Sequence, residues 1–174
     1  VMTTTTGNAA SVLSKLEDWL QTEWPELKVY LTSITEQFAT ISLNGPYAFN
    51  LMKKLCPNHD FSKEKFPHMS FQKIEIDDVA CRVMRISFTG EMCYEINVPS
   101  SYAKALWEKC FELGQEHNIT PYGTEAMHVL RAEKGFIIVG QETDGSVTPI
   151  DLDMGWIVNK KKYDFIGKRA LYRS

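Results

Sequence analysis

Two carboxylates stand out in the segment RISFTGEMCYEINVP, which runs from Arg85 to Pro99. Polar and apolar residues alternate on both sides of Gly90, so the segment predicts two β-strands joined by a turn at that glycine. Glu91 follows the turn, and Glu95 lies within the second strand. A carboxylate held in such a place can accept two parallel hydrogen bonds from a flat ligand edge with adjacent N–H donors. The alternative is that both carboxylates lie on a solvated outer face, as most strand carboxylates do.

The bulk composition is typical of a globular protein and excludes several classes of function. The chain has 174 residues, of which 44% are hydrophobic, enough to build a core in one large domain or two small ones. The net charge is −3 and the basic residues are scattered apart from Lys160–Lys162, so nucleic-acid binding is not expected. No stretch approaches the roughly 20 apolar residues of a membrane span, and the N-terminus lacks the pattern of a secretion signal. We therefore expect a cytoplasmic or organellar protein, with the cytoplasm preferred, that binds neither nucleic acid nor membrane.

The residues that commonly bind metal ions do not form a metal-binding pattern. The cysteines are far apart and include no CxxC pair, which argues against a zinc site or a redox dithiol. The aspartates between Asp144 and Asp153 do not follow the spacing of an EF-hand loop. We expect no metal site, and we expect the four cysteines to be buried reduced thiols: Cys56, Cys81, Cys93 and Cys110.

Hydrophobic periodicity predicts helices at several places in the chain. The first helix should begin after Asn8 as N-cap and end near Glu23, with one apolar face formed by Val12, Leu13, Leu16, Trp19 and Leu20. Later helices are predicted over residues 47–55, from Ser100 or Ser101 to about His117, over 124–134, and from Phe165 to Tyr172.

Alternation of β-branched and polar residues predicts strands between these helices. Besides the strand that carries Glu95, the predicted strands are Val1–Thr6, Lys28–Thr35, Phe38–Leu43, Phe71–Ile76 and Ala80–Phe88. Hairpins and crossovers are mixed in this order, which predicts an α+β fold with mostly antiparallel sheets and packed helices. The chain begins within a strand pattern and ends within a helical one, so we expect a piece of a longer polypeptide, truncated at both ends. It should form one region, 1–174, which can divide into subdomains of about 1–60 and 61–174.

An ordered set of motifs follows the two carboxylates. These motifs are TPYGTEAMHVLRAEKG from Thr120 to Gly135, then VGQETDGSVTPIDLDMGWIV, then DFIGKRAL from Asp164 to Leu171. Together with the first segment, they resemble the aminomethyltransferase family of folate-binding proteins over essentially the whole chain. That family includes the T-protein of the glycine cleavage system and the matching C-terminal parts of sarcosine and dimethylglycine oxidases. The runs TTTTGNAA and NITPYGTEAMHVLRAEKGFIIVGQETDG are most similar to the branch found in the α subunit of heterotetrameric sarcosine oxidase.

The resemblance implies that tetrahydrofolate is held in a central channel, with a glutamate of the hairpin motif bound to the pterin. The implied product is 5,10-methylenetetrahydrofolate, formed from an iminium or aminomethyl carbon. Glu95 is the position that the resemblance assigns to the pterin, and Glu91 is the second candidate.

Two further site residues are implied by the same resemblance. Arg131 falls where the family has an arginine that lines the folate channel, although a structural ion pair with Glu133 or Glu125 is an equal alternative. Tyr122 precedes the same helix and can flank the pterin, or it can be an ordinary loop tyrosine packed on the core.

The chain departs from the family pattern in two ways. Phe88 replaces the tyrosine that the T-protein usually has before TGE, so any hydrogen bond from that hydroxyl is lost. The family's catalytic aspartate would lie upstream of the segment matched by Met2 to Thr6, so we assign no catalytic residue and expect no turnover by these 174 residues alone.

The oxidase branch implies partners and cofactors beyond this chain. FAD, FMN and NAD are expected elsewhere in the complete enzyme, and the partners would be the remaining α-subunit domains and the other sarcosine oxidase subunits. The alternatives are a T-protein relative that accepts an aminomethyl group from a lipoyl carrier and a non-catalytic folate-binding scaffold, because fold alone does not determine activity.

Overall fold

The computed structural model describes residues 1–173 of the chain, which form two compact units. The first unit comprises Val1–Ser87 and Met92–Thr120. The second comprises Phe88–Glu91 and the residues from Pro121 onward. The boundary predicted near residue 60 lies within the first unit, and the division into subdomains of about 1–60 and 61–174 stays a prediction.

The first unit is built on a four-stranded antiparallel sheet. Its strands are β1 (Phe38–Asn44), β2 (Phe71–Ile76), β3 (Val79–Met84) and β4 (Cys93–Pro99). Their order across the sheet is β1-β4-β3-β2, and all neighbours are antiparallel. Glu95 therefore lies on an interior strand, with β1 on one side and β3 on the other.

Three α-helices lie in the first unit, all of whose residues the structure describes: α1 (Ala9–Thr22), α2 (Ala48–Leu55) and α3 (Ala103–Gly114). The buried side chains of α2 and α3 recur at helical spacing, so each helix presents one stripe to the core. These side chains are Ala48, Leu51, Met52 and Leu55 on α2, and Leu106, Cys110 and Gly114 on α3.

The two faces of the sheet differ because side chains alternate along each strand. One face packs with α2 and α3 in the apolar core, and we call it the inner face. Its buried residues are Ile41, Leu43, Ile74, Ile76, Cys81, Val83, Tyr94, Ile96 and Val98. The opposite side is the outer face, formed by Phe38, Thr40, Ser42 and Asn44 of β1, Cys93, Glu95, Asn97 and Pro99 of β4, Ala80, Arg82 and Met84 of β3, and Phe71, Lys73 and Glu75 of β2.

The second unit contains little regular structure. In the part of this unit that the structure describes, the α-helices are α4 (Thr124–Glu133) and α5 (Lys168–Leu171), a 3₁₀ turn spans Gly155–Ile157, and an isolated bridge joins Val139 to Thr143. Among its described residues, no apolar side chain is buried. The buried side chains in this unit are polar ones, namely Thr89 and Arg131.

The predicted fold class is confirmed, since the structure combines helices with an antiparallel sheet. β2 has the predicted bounds, and β1, α1, α2 and α4 lie within one residue of theirs. Asp77 and Asp78 both have positive φ angles, 48° and 62°, as a two-residue hairpin turn between β2 and β3 requires. Within residues 1–173, no helix has the length and apolar character needed to cross a membrane.

Two predicted strands are wrong. Val1–Thr6 and Lys28–Thr35 have irregular backbone apart from short 3₁₀ turns at Thr6–Asn8 and Thr35–Gln37. Their β-branched composition favours an extended backbone, but a strand also needs a neighbour to accept its hydrogen bonds. Tyr30, at 96% exposed, illustrates how open this part of the chain is.

The turn between β3 and β4 is also longer than predicted. β3 ends at Met84, and residues 85–92 form an irregular connection in place of a strand with a tight turn at Gly90. Arg85 still bonds to the loop before β2, since its N–H donates to Ser70 and its carbonyl accepts from Met69, both at 2.9 Å. Met69 has a positive φ of 63°, so the regular ladder does not continue past this point. Strand pairing between β3 and β4 is confirmed, and the position of the turn is wrong.

The predicted helix caps are wrong, although α1 starts in the predicted place. Asn8 occupies the N-cap position but makes no side-chain cap, and its amide donates to Thr5 Oγ1 at 3.3 Å instead. α3 begins later than predicted because Ser100–Tyr102 form a 3₁₀ turn, in which Ser100 Oγ donates to the Glu36 carbonyl at 2.7 Å. The apolar face of α1 has the predicted register, but none of its residues is buried.

Candidate functional site

Glu95 is the best placed of the predicted site residues to bind a ligand. It lies half-buried on the outer face, opposite Ser42 on β1 and Met84 on β3. Among the residues that the structure describes, its carboxylate has no hydrogen-bond or ion-pair partner. A carboxylate removed from water without a partner is costly, so this position fits a ligand that supplies donors.

The polar neighbours of this carboxylate are paired with one another. Asn44 Nδ2 donates to Ser42 Oγ at 3.0 Å, and the same hydroxyl lies 3.4 Å from Cys93 Sγ. Thr40 Oγ1 donates to Asn97 Oδ1 at 3.0 Å. The side chains of Ser42 and Thr40, which are the nearest polar groups of β1, thus contact residues other than Glu95.

Burial has the same electrostatic effect on two acidic groups of β4. It raises the pKa of Glu95 above its ordinary value, since the charged form loses hydration. Burial also raises the pKa of the Cys93 thiol to about 11, with the Glu95 charge adding to the effect and the Ser42 hydroxyl opposing it. Cys93 therefore remains a neutral thiol at neutral pH, and the available acceptor on this strand is the carboxylate.

Sequence reasoning missed several polar residues that surround Glu95. Asn97 shares its face through the strand period of two, a signal that was available in the sequence. Ser42 and Arg82 join the same surface only through the pairing of β4 with β1 and β3. No local pattern predicts that pairing for β1, which is separated from β4 by β2 and β3 in the chain.

Glu91 has a partner of its own within the second unit. Its Oε1 lies 3.0 Å from Lys134 Nζ, and both side chains are nearly half exposed. The preceding Gly90 has a φ of +77°, and a Cβ there would overlap the Lys134 side chain, so glycine is required for two reasons. The TGE motif thus packs against the residue that follows α4.

Arg131 is buried and engaged near the end of α4. Its Nη1 donates to the Phe136 carbonyl at 2.9 Å and pairs with Glu142 Oε1 at 2.9 Å. The ion pair is therefore made with Glu142, so the alternative of a structural pair with Glu133 or Glu125 is wrong in its partner, and a role of Arg131 in a folate channel stays a prediction. Its Nε is buried with no acceptor among the described residues, so this N–H is available to another group.

The carboxylate of Glu142 is held by two donors. The backbone N–H of Ile138 and then the Arg131 guanidinium lower its pKa below the ordinary value.

Tyr122 lies in the loop before α4 and is 40% exposed. Its role beside a pterin stays a prediction.

The predicted site residues are divided between the two units. Glu95 belongs to the first unit, whereas Glu91, Tyr122 and Arg131 belong to the second. Within the second unit, Lys134 links Glu91 to the end of the helix that carries Arg131. Across the described part of the chain, no group of three or more His, Cys, Asp or Glu side chains is arranged to hold a metal ion.

Comparison with known proteins gives matches along nearly the whole chain. Residues 1–162 match the family described as the GCVT N-terminal domain. The chain is 56% identical over 174 residues to the sarcosine oxidase subunit alpha of Corynebacterium sp. strain P-1, covering 99% of this chain and 18% of that protein. The corresponding protein of Rhizobium meliloti strain 1021 is 40% identical over 174 residues, with 99% and 17% covered.

An aminomethyltransferase is a more distant relative. The protein of Caldanaerobacter subterraneus subsp. tengcongensis is 34% identical over 166 residues, covering 95% of this chain and 44% of that protein. The chain thus spans less than a fifth of the length of the oxidase subunits and less than half of the aminomethyltransferase. Since the family match covers most of its length, the chain belongs to the GCVT N-terminal domain family.

Proposed function

We propose that this chain is the folate-binding part of the α subunit of a heterotetrameric sarcosine oxidase. It would capture the one-carbon unit released by oxidative demethylation of sarcosine as 5,10-methylenetetrahydrofolate. The observation that carries the proposal is the free, half-buried carboxylate of Glu95 on the outer face. The relatives named sarcosine oxidase subunit alpha, at 56% and 40% identity, support the choice of enzyme.

The chemistry of a pterin matches what Glu95 offers. The aminopyrimidine edge of a pterin carries two adjacent N–H donors, and one carboxylate can accept both in parallel. Bonds of this kind are stronger where water is partly excluded, as it is on this part of β4. When bound, tetrahydrofolate would supply the nucleophilic N5. The residues of this chain would orient the ligand and limit its contact with water.

The contacts of the two glutamates support different roles for them. Glu91 is already paired with Lys134 and sits in a turn whose glycine is tightly packed. Glu95 has no such partner, so we propose it as the pterin ligand and Glu91 as part of the turn. Arg131, with a free Nε, is proposed as a second folate contact, and Tyr122 as an aromatic neighbour of the ligand.

The remaining parts of the proposal concern the complete enzyme. We propose the other α-subunit domains and the other sarcosine oxidase subunits as partners, in the cytoplasm. FAD, FMN and NAD would bind in those parts, and no residue of this chain is assigned to the chemistry that they supply.

A second candidate is an aminomethyltransferase of the glycine cleavage type. The 34% identity over 95% of this chain favours it, and the same Glu95 site would serve it. Assays on the complete natural polypeptide, assembled with its partner subunits, separate the two. For the oxidase we expect sarcosine-dependent electron transfer, with 5,10-methylenetetrahydrofolate formed only when tetrahydrofolate is added. Absence of sarcosine-dependent electron transfer would reject the oxidase.

Folate binding itself is tested by calorimetric titration of the same polypeptide with tetrahydrofolate. Glu95→Gln replaces one acceptor with a donor that faces the pterin N–H groups, so we expect a loss of about 1.5–3 kcal/mol in binding free energy. Glu91→Gln is the matched control, since it changes an exposed carboxylate that is already paired with Lys134. Equal losses in the two variants, or none in Glu95→Gln, would contradict the assignment.

A further inference from the structure

Arg82 is a cation on the outer face, and its guanidinium lies over an aromatic ring. Its Cζ lies 4.4 Å from the centre of the Phe38 ring, within the range of a cation–π interaction. Among the described residues, no carboxylate lies within ion-pair distance of its guanidinium. The Phe38 ring is therefore the contact that can hold this side chain in position.

The strand register shows where the Arg82 side chain runs. Arg82 on β3 is opposite Asn97 on β4, and Phe38 on β1 is opposite Pro99 on β4. To reach Phe38, the side chain must pass over β4, which lies between the other two strands. It thus crosses the face beside Asn97, whose Nδ2 is buried without an acceptor among the described residues.

Glu95 lies within reach of the same guanidinium. It is two residues from Asn97 on the same face, which makes it a diagonal neighbour of Arg82 across the β3–β4 pair. Diagonal neighbours in an antiparallel pair are about 7–8 Å apart at the backbone, a distance that long side chains span. A rotamer change would therefore let Arg82 pair with Glu95 and occupy the acceptors that a ligand needs.

We propose that Phe38 is a positioning residue for the Glu95 site. Its ring holds the Arg82 guanidinium away from the Glu95 carboxylate, so that the carboxylate stays free to accept N–H groups of a planar ligand. The identity of that ligand as a folate rests on the function proposed above, whereas the positioning of Arg82 does not.

The other charges on this face favour the observed position of Arg82. Lys73 is directly opposite it on β2 and repels it from that edge of the sheet. Glu75 is the diagonal neighbour on the same strand, and it is the competing partner if Arg82 leaves the ring. Measurements must therefore distinguish Glu75 from Glu95.

The experiment measures how readily each carboxylate of the complete natural polypeptide is labelled by glycine ethyl ester with a water-soluble carbodiimide, read by peptide mass spectrometry. In Phe38→Leu, we expect labelling of Glu95 to fall about threefold, the population change that a single solvent-accessible ion pair gives. Phe71→Leu is the matched control, because Phe71 lies on the same face at the opposite edge of the sheet and, among the described residues, no cation lies over its ring.

A second substitution separates positioning from a structural effect. Arg82→Met in the Phe38→Leu background removes the competing cation and should restore Glu95 labelling to the wild-type level. Tetrahydrofolate affinity is titrated in the same variants. It should fall by a similar factor in Phe38→Leu, stay unchanged in Phe71→Leu, and return to the wild-type value when Arg82→Met is added to Phe38→Leu.

The outcomes are distinguishable. Unchanged Glu95 labelling in Phe38→Leu, a fall at Glu75 alone, or a loss that Arg82→Met does not restore would each overturn the positioning role. If labelling behaves as expected but the wild type does not bind tetrahydrofolate, the proposed function fails and the positioning of Arg82 stands. If tetrahydrofolate binds and labelling does not respond, the positioning role alone fails.

Discussion

The inner and outer faces of the sheet use the same strands for different purposes. On β4, Tyr94, Ile96 and Val98 are at most 1% exposed and belong to the core, while Glu95 and Asn97 between them face outward. The apolar inner residues Ile96 and Val98 are satisfied by packing within the chain, although the buried hydroxyl of Tyr94 has no hydrogen-bond partner among the described residues. The outer face leaves an unpaired carboxylate and an unpaired amide nitrogen among the described residues.

This difference shows how a strand can hold a ligand site that the fold itself disfavours. Burying a side chain such as Ile96 contributes about 1.5–3 kcal/mol, whereas desolvation of an unpaired carboxylate opposes folding. Because both residues lie on one strand, the inner contacts hold the outer carboxylate in place. Stability and binding should therefore separate when the two faces are mutated independently.

The largest expected effect comes from the inner face. Ile96→Ala should lower the free energy of unfolding by about 2–5 kcal/mol, because it removes fully buried methyl and methylene groups and leaves a cavity. Urea unfolding of the 174-residue chain measures it. Lys73→Ala, at an exposed position of the outer face, should stay within about 0.5 kcal/mol of wild type. Similar losses in the two variants would remove the distinction between the faces.

The apolar face of α1 sharpens the comparison, because its sequence pattern resembles that of a core helix. Trp19 is only half-buried and contacts Trp24 and Lys15, so Trp19→Ala should cost about 1 kcal/mol or less, compared with about 3–5 for a buried tryptophan. Met52→Ala on α2, where the side chain is fully buried, is the control, with an expected loss of about 2–5 kcal/mol. Equal losses in urea unfolding of the same chain would place Trp19 in a core.

The smallest effect is a pH dependence of stability from the outer face. Burial raises the folded-state pKa of Glu95 above its ordinary value of 4.5. The Glu95 carboxyl group therefore contributes most to the free energy of unfolding below about pH 4.5, and this contribution is lost as the pH rises through the raised pKa. Glu95→Gln cannot ionise, so it should gain stability relative to wild type between about pH 4 and about pH 7. Urea unfolding at both pH values measures the difference.

Glu91→Gln is the matched control for that measurement, since its exposed carboxylate keeps its contact with water. A gain in Glu91→Gln as large as in Glu95→Gln would show that the effect is one of net charge. A loss of relative stability in Glu95→Gln at the higher pH would mean that the Glu95 carboxylate has a favourable partner in the folded protein.

Local sequence pattern determined much of this fold. The spacing of Leu51, Met52 and Leu55 is sufficient to predict a helix with a buried stripe, and the period of two around Glu95 places Asn97 on the same face. These features depend on residues close in the chain, whose geometry is set by the backbone. The ordered motifs also indicated the family, and the match over residues 1–162 confirms it.

Other features were decided only by the tertiary structure. Thr40 and Asn97 are 57 residues apart in the chain, yet their hydrogen bond forms because β1 pairs with β4. The same strand-forming composition at Lys28–Thr35 yields no strand, because within residues 1–173 no other segment pairs with it. Long-range packing likewise decides that Glu95 is unpaired while Glu91 pairs with Lys134, and that Arg131 pairs with Glu142. In such cases the free energy of the whole unit outweighs local preference.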